Sequence, residues 1–182
     1  MMGSGKSTVG RRLATQLGRP FVDADDELVR LSGLTVREWF ADRGEAAFRQ
    51  AEADLVDDLL SSPGPAVIAA GGGVVVTPGA RAVLVEQARV VWLRAGAPFL
   101  VSRLRAKDHR PLLDDDPEAA VVRLMAERTA LYDQVADLTV DVEPFHAGGE
   151  KPKRALALRI AEMVREAEAL DAAVAGAAEA QR

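Results

Sequence analysis

Gly3-Ser4-Gly5-Lys6-Ser7-Thr8 carries the residue types that grip a polyphosphate. Gly5-Lys6-Ser7 closes the pattern G-x-x-x-x-G-K-[ST], whose first glycine would fall one residue before Met1. Glycines let backbone N–H groups curl around phosphate oxygens, and the helix N-terminus that follows points its dipole at the anion. In that chemistry Lys6 reaches the outer phosphates and the Ser7 hydroxyl holds a magnesium ion. A Gly/Ser-rich flexible terminus is the plainer alternative. The periodic segment that follows at once argues against it: Val9, Leu13, Ala14 and Leu17 mark one helical face and Gly18 gives a stop signal.

Asp23-Ala24-Asp25 follows a short apolar run and reads as the carboxyl end of a strand, the edge where parallel sheets bind ligands. Residues two apart on an extended segment point the same way, so both carboxylates can face one site. One could hold magnesium through water and one could accept a proton from a hydroxyl; alone, the run would read as a solvated helix cap. Gly71-Gly72-Gly73 ends another strand-like run and leaves no side chains to obstruct a ligand. Arg49 and Arg128 lie on separate helical segments. By position each suits a surface, yet two arginines can also grip a carboxylate with fork geometry. Asp108-His109-Arg110-Pro111-Leu112-Leu113 sits in a charged, proline-punctuated loop, from which an arginine could close over a nucleotide. His109 and His146 have no sequence neighbour that would make them catalysts. Asp114-Asp115-Asp116 and Lys151-Pro152-Lys153-Arg154 read as solvated loop charge, and Trp39 and Trp92 as core.

The elements that must position these residues alternate. Strands are expected at Pro20–Asp23, Ala66–Ala70, Arg89–Leu93 and Leu138–Val142. Helices are expected from the phosphate loop to Leu17, over Ala24–Leu31, from Thr35 with a break at Gly44, then Glu45–Leu60. Others are expected from Thr77-Pro78 to about Gln87, from Ala97-Pro98 to about Ala106, over Glu118–Val135 and over Pro152–Leu170. That order predicts a parallel sheet covered on both faces. One domain spans residues 1–170, with a lid at about 107–117 and a frayed, Ala/Glu-rich tail over 171–182.

With 182 residues, 48% of them apolar, the chain has enough hydrophobic surface for one core. A net charge of -5 argues against a nucleic-acid surface. The absence of cysteine excludes disulfides and cysteine-based zinc sites and suits a reducing cytoplasm. No apolar run approaches a membrane span, and Lys6, Arg11 and Arg12 break any signal-peptide pattern. The expectation is a cytoplasmic monomer that binds neither nucleic acid nor membrane.

Taken in order, Gly-Ser-Gly-Lys-Ser-Thr, Asp-Ala-Asp, Phe48-Arg49 with Glu52, Gly-Gly-Gly, Arg110-Pro111-Leu112-Leu113, and Arg128 with Leu131-Tyr132 resemble the shikimate kinases from the first residue to about Val142. Single motifs are unspecific; the ordered set is highly specific. The resemblance implies a three-layer P-loop kinase fold with a lid loop, and transfer of the ATP γ-phosphate to the 3-hydroxyl of shikimate. It implies that Gly3, Ser4, Gly5, Lys6, Ser7 and Thr8 hold the nucleotide phosphates, with Ser7 and Asp23 serving Mg2+. Asp25 would bind the substrate hydroxyls and act as base. Arg49 and Arg128 would clamp the shikimate carboxylate, with Gly71, Gly72 and Gly73 beside the ring. Lys6 and Arg110 would act on the transferring phosphate, and Arg103 would lie against adenine. Glu143–Lys151 departs from the short adenine-side loop of the family.

The resemblance also calls for a central strand of about five residues before the phosphate loop. Without it two neighbouring strands face a gap, and each unpaired backbone group there costs roughly 1–3 kcal/mol. The corresponding hypothesis is that the native protein starts earlier; the intact mass of protein from its native source tests it, and a main species beginning at Met1 or Met2 would sink it. The rival readings are another small-molecule kinase of the same fold, for gluconate or a nucleoside monophosphate, and a non-catalytic nucleotide binder.

Overall fold

The computed structural model describes residues 1–104, 116–146 and 150–180. Arg110 and most of the expected lid lie outside those residues.

Helix α1 (Lys6–Leu17) starts immediately after Gly5, whose φ of 90° is the left-handed conformation that glycine adopts without Cβ strain. Val9, Leu13 and Ala14 bury the expected face of α1. Strand β1 (Phe21–Asp23) leads into α2 (Ala24–Ser32), and the Asp23 carboxylate caps α2 by accepting the Asp25 backbone N–H at 3.2 Å. Asp25 therefore sits in a helical first turn. The expectation that it shares an extended segment with Asp23 is corrected: the chain turns helical one residue after Asp23, where that carboxylate satisfies the freed amide.

Helix α3 (Val36–Ser61) opens with a complete capping box between Thr35 and Glu38. It breaks sharply at Gly44, at φ 80° and ψ 166°. Strand β2 (Val67–Ala69) pairs in parallel with β1, Val22 opposite Ile68. The glycine triplet then enters a 3-10 turn (Val74–Val76), which the sequence did not signal, and α4 (Pro78–Gln87). Thr77 makes no side-chain cap there; Pro78 opens the helix in its place. Strand β3 (Val91–Arg94), displaced slightly from the expected Arg89–Leu93, is followed by α5 (Ala97–Leu104).

Helix α6 (Pro117–Val135) begins at a residue expected to belong to the lid. Asp116, expected to be loop charge, caps it by accepting N–H bonds from Glu118 and Ala119. Strand β4 (Leu138–Asp141) pairs in parallel with β3, Trp92 opposite Thr139. The last helix, α7, runs from Glu150 to Ala180. It starts two residues before the expected Pro152 and takes in the whole Lys151–Arg154 charge cluster. It also continues through the segment expected to fray: Ala and Glu are strong helix formers, so the helix runs on although residues 169–178 are exposed.

Among the described residues, four strands form two separate two-stranded sheets, β1-β2 and β3-β4. Helices α1 and α7 pack together, and α4 packs on both α3 and α6. The main core draws Leu13, Val56, Leu84, Trp92, Leu100, Val121, Val135, Leu156 and Ile160 from all these layers. Trp39 and Phe48 build a smaller core with Leu28 and Leu55 between α2 and α3. Among the described residues no helix is long and apolar enough to cross a membrane.

Candidate active site

A polar cleft of about 360 Å3 opens at the carboxyl ends of β1 and β2. Its floor is the loop into α1: Gly3, Gly5, Lys6, Ser7 and Thr8 all line it. The first amides of a helix have no intrahelical acceptor, and Gly5 supplies no side chain to cap them. An anion seated over this turn therefore meets backbone N–H groups and the positive end of the helix dipole together. Ser4, expected among the phosphate-binding residues, turns its side chain inward. Its side chain is fully buried and its hydroxyl donates to the Met1 carbonyl at 2.9 Å, so it ties the loop to itself. Lys6 Nζ donates to the same carbonyl at 3.2 Å.

Asp23 and Asp25 line one wall, and Gly71, Gly72 and Gly73 line the wall beside it. The triplet does more than leave space. The Gly72 carbonyl accepts from Arg128 Nη1 at 3.0 Å and from the Tyr132 hydroxyl at 2.6 Å. A Cβ on Gly71 would strike the Glu52 carboxylate, and one on Gly73 would strike the Arg49 guanidinium. The Gly72 carbonyl orients Arg128, and the missing side chains of Gly71 and Gly73 let Glu52 and Arg49 press against the backbone.

Arg49 and Arg128 converge on this cleft from α3 and α6, which spacing alone did not reveal. Arg49 donates from Nη1 to Glu52 at 2.8 Å and from Nε and Nη2 to Glu45 at 3.3 and 3.2 Å. Its guanidinium also lies 5.2 Å from the Phe48 ring centre and 5.7 Å from that of Phe40. Arg128 is 4% exposed, and its buried Nε has no hydrogen-bond partner among the described residues. An orphaned buried donor costs roughly 1–3 kcal/mol, so this one calls for an acceptor entering the cleft.

Glu52 is the buried carboxylate behind the arginines. Burial pushes its carboxyl up from the ordinary range, Arg49 opposes the rise, and Asp25 adds to it. Burial likewise pushes the Tyr132 hydroxyl up to about 12, against the pull of Arg128. The positioning roles of Glu52 and Tyr132, and the presence of Arg37 and Phe40 in the lining, went unassigned in the sequence. Glu52 carried a usable signal, since it stands one helical turn from Arg49. Arg37 carried none.

Arg103 lines the cleft from α5, its Cβ 3.6 Å from where a Gly3 Cβ would stand. His146 was dismissed by sequence, yet its Nε2 lies 3.5 Å from where a Gly5 Cβ would stand. Its Nδ1 is 2.8 Å from the Val142 carbonyl, and its ring meets Phe99 edge-on at 5.0 Å.

This arrangement offers a polyphosphate cradle, two carboxylates on one wall and two arginines ready for a small anion. A family model for shikimate kinase matches residues 2–165. The chain belongs to the shikimate kinase family. It is similar to the shikimate kinase of Nitrobacter winogradskyi, 48% identical over 141 residues that cover 77% of this chain and 65% of the relative. It thus spans just under two thirds of that relative's length. The family member from Halorhodospira halophila is 43% identical over 162 residues, covering 88% of each chain. A solved shikimate kinase from Acinetobacter baumannii, in complex with shikimate, aligns with a TM-score of 0.82 and 34% identity over 91% of this chain and 89% of that one. The P-loop kinase fold of the family accommodates the parallel strands, the glycine-led α1 and the cleft at the strand ends.

Proposed function

We propose that this protein transfers the γ-phosphoryl group of ATP to the 3-hydroxyl of shikimate. The observation that carries this reading is the placement of the phosphate cradle, Asp25 and the Arg49–Arg128 pair around one cleft. A small hydroxylated acid with one carboxylate matches that set. A nucleotide acceptor would want a flat base pocket where the arginines stand.

In this reading the α1 amides and Lys6 hold the β- and γ-phosphates, while Arg49 and the unpartnered Nε of Arg128 take the shikimate carboxylate with charge-assisted hydrogen bonds. That contact fixes the ring so that the 3-hydroxyl meets Asp25. Asp25 orients the hydroxyl and accepts its proton as the oxygen attacks phosphorus; the bond to the ADP oxygen breaks and ADP leaves with the electron pair. Positioning and charge stabilisation do most of the work in such a transfer.

Magnesium fits the same cleft. Among the described residues no group of three or more acidic or histidine ligands gathers. Mg2+ usually takes only one or two protein ligands beside phosphate oxygens and water, and Ser7 with Asp23 provides that many. When bound, the ion would neutralise charge shared between the β- and γ-phosphates. Arg110 and the lid are assigned by family resemblance to cover the transferring group.

The test is coupled ADP release with shikimate, gluconate and nucleoside monophosphates as acceptors. Turnover with shikimate alone is expected; turnover with gluconate and none with shikimate would refute the assignment. Asp25→Asn is expected to lose 100-fold or more in kcat, about 3 kcal/mol of barrier, with ATP affinity kept. Near-parental turnover in that variant would remove Asp25 from the role of base.

A further inference from the structure

Arg37 lines the polar cleft from the first turn of α3, together with Val36 and Phe40. It stands on the acceptor side. Phe40, three residues on and so on the same helical face, has its ring centre 5.7 Å from the Arg49 guanidinium. Arg37 is exposed, and the phosphoryl transfer described above makes no use of it.

Nothing in its local position favours a cation. Arg37 is the second residue of α3, where the positive end of the helix dipole opposes like charge. The positions three and four away on either side are Gly33, Leu34, Phe40 and Ala41, so no acid meets it along the helix. Its neighbour Glu38 gives its carboxylate to the Thr35 N–H and hydroxyl, at 2.7 and 2.6 Å. The other arginines of α3 are engaged: Arg43 lies 4.9 Å from the Trp39 ring centre, and Glu45 and Glu52 hold Arg49. Among the described residues Arg37 has no hydrogen bond, ion pair or ring contact. An unpaired cation at a position that disfavours it, facing a cleft, points to a ligand rather than to the fold.

The arginine pair already in the cleft leaves work for a third. A carboxylate offers about four acceptor positions. Arg49 spends protons of Nε, Nη1 and Nη2 on Glu45 and Glu52. Arg128 spends Nη1 on the Gly72 carbonyl and keeps Nε unpartnered. Together they address a substrate carboxylate with part of their donor sets. We propose that Arg37 is a third carboxylate-recognising arginine, which draws the acid acceptor into the cleft and completes the donors around its carboxylate. This inference rests on the shikimate reading above. The cleft lining holds five cationic side chains and three carboxylates, on a chain of net charge -5. Such a local excess concentrates small anions at the mouth. Arg37 acts on capture and ground-state binding, so it lowers KM for an acidic acceptor and leaves kcat unchanged.

The experiment compares steady-state kinetics of the parent, Arg37→Ala and Arg37→Lys with shikimate as acceptor, alongside calorimetric ATP affinity. Arg123→Ala serves as the charge-matched control, since Arg123 is exposed beside Glu127 on α6 and lies outside the cleft lining. Arg37→Ala is expected to raise shikimate KM about 3- to 10-fold, with kcat and ATP affinity within about twofold of the parent. Arg37→Lys keeps the charge but not the fork, and is expected to recover part of the loss. Raising added salt from about 0.05 to about 0.5 M is expected to bring parent and Arg37→Ala to within about twofold, because exposed charges are screened. Shikimate turnover in the parent with an unchanged KM in Arg37→Ala would overturn this inference alone. No shikimate turnover in the parent would overturn the reading beneath it as well. An equal loss in Arg123→Ala would show an effect of net charge, and a matching fall in ATP affinity would move Arg37 to the nucleotide; each overturns the proposal.

Discussion

Gly73→Ala is the sharpest probe of the arginine wall, because it adds one methyl group and removes nothing. Gly73 has φ -105° and ψ -8°, a backbone conformation that alanine adopts freely. Backbone strain therefore drops out of the comparison. The new Cβ would land on the Arg49 guanidinium, which Glu52 and Glu45 hold from behind and Phe48 and Phe40 flank. A free surface arginine would swing aside at little cost. This one must break its 2.8 Å bond to buried Glu52 or leave the aromatic faces. Either way the guanidinium leaves the position from which it would meet a substrate carboxylate. A charge-assisted hydrogen bond contributes about 1.5–3 kcal/mol, which corresponds to roughly 10- to 150-fold in affinity.

The expected outcome is a shikimate KM raised by about that factor, with ATP affinity from calorimetry within about twofold of the parent. Arg49→Ala should give a similar rise in shikimate KM, and adding Gly73→Ala to it should change little, since the two act on one contact. The reasoning fails if Gly73→Ala leaves shikimate KM unchanged. It fails equally if ATP and shikimate affinities fall together, for that would mean a collapsed cleft and not a displaced guanidinium.

Tyr132→Phe tests the buried hydroxyl. Its pKa is raised from 10.0 to about 12, chiefly by burial, so the neutral form is favoured in the fold. That stability is complete below pH 10 and is lost as pH rises from 10 to about 12, a change of roughly 2–3 kcal/mol. Urea midpoints between pH 9 and 12 should fall more steeply in the parent than in the variant, and parallel curves would contradict the assignment. Thr35→Ala removes half of the capping box at α3 and should cost about 1 kcal/mol in urea unfolding at neutral pH, with unchanged kcat. A loss in kcat with no loss of stability would tie the cap to the cleft instead.

The reach of sequence reasoning followed the range of the forces involved. Local signals were legible because they depend on neighbours in the chain: the Thr35–Glu38 box, the Gly44 break and the apolar face of α1 all appear where periodicity and capping chemistry put them. Conversely, Asp116 looked like one of three solvated acids, and only the chain direction after it decides that its carboxylate caps α6. The cleft was legible as a set of residue types and illegible as geometry. Arg49 and Arg128 stand 79 positions apart in the sequence. Nothing local says that Gly72 offers its carbonyl to Arg128 while Gly73 yields its side-chain space to Arg49. Glu52 was visible as a helical neighbour of Arg49, but its burial, and with it the raised carboxyl pKa, belongs to the tertiary packing.

The polar cleft shares a wall with an apolar cavity between β2 and β3, and this connects stability to chemistry. Lys6, Ala69, Ala70, Gly71 and Gly72 line both cavities. Met1 lines the apolar cavity, and its carbonyl receives the bonds from Ser4 and Lys6 that shape the phosphate loop. Gly72 approaches so closely that an added Cβ would stand 3.3 Å from the Met2 nitrogen, while its carbonyl holds Arg128 and Tyr132 on the other side. A displacement at Met1 therefore reaches Lys6 through one carbonyl and Arg128 through the Gly72 contact. Packed interiors transmit small shifts because they contain little free volume. The position of Lys6 therefore rests on the Met1 carbonyl that it shares with Ser4.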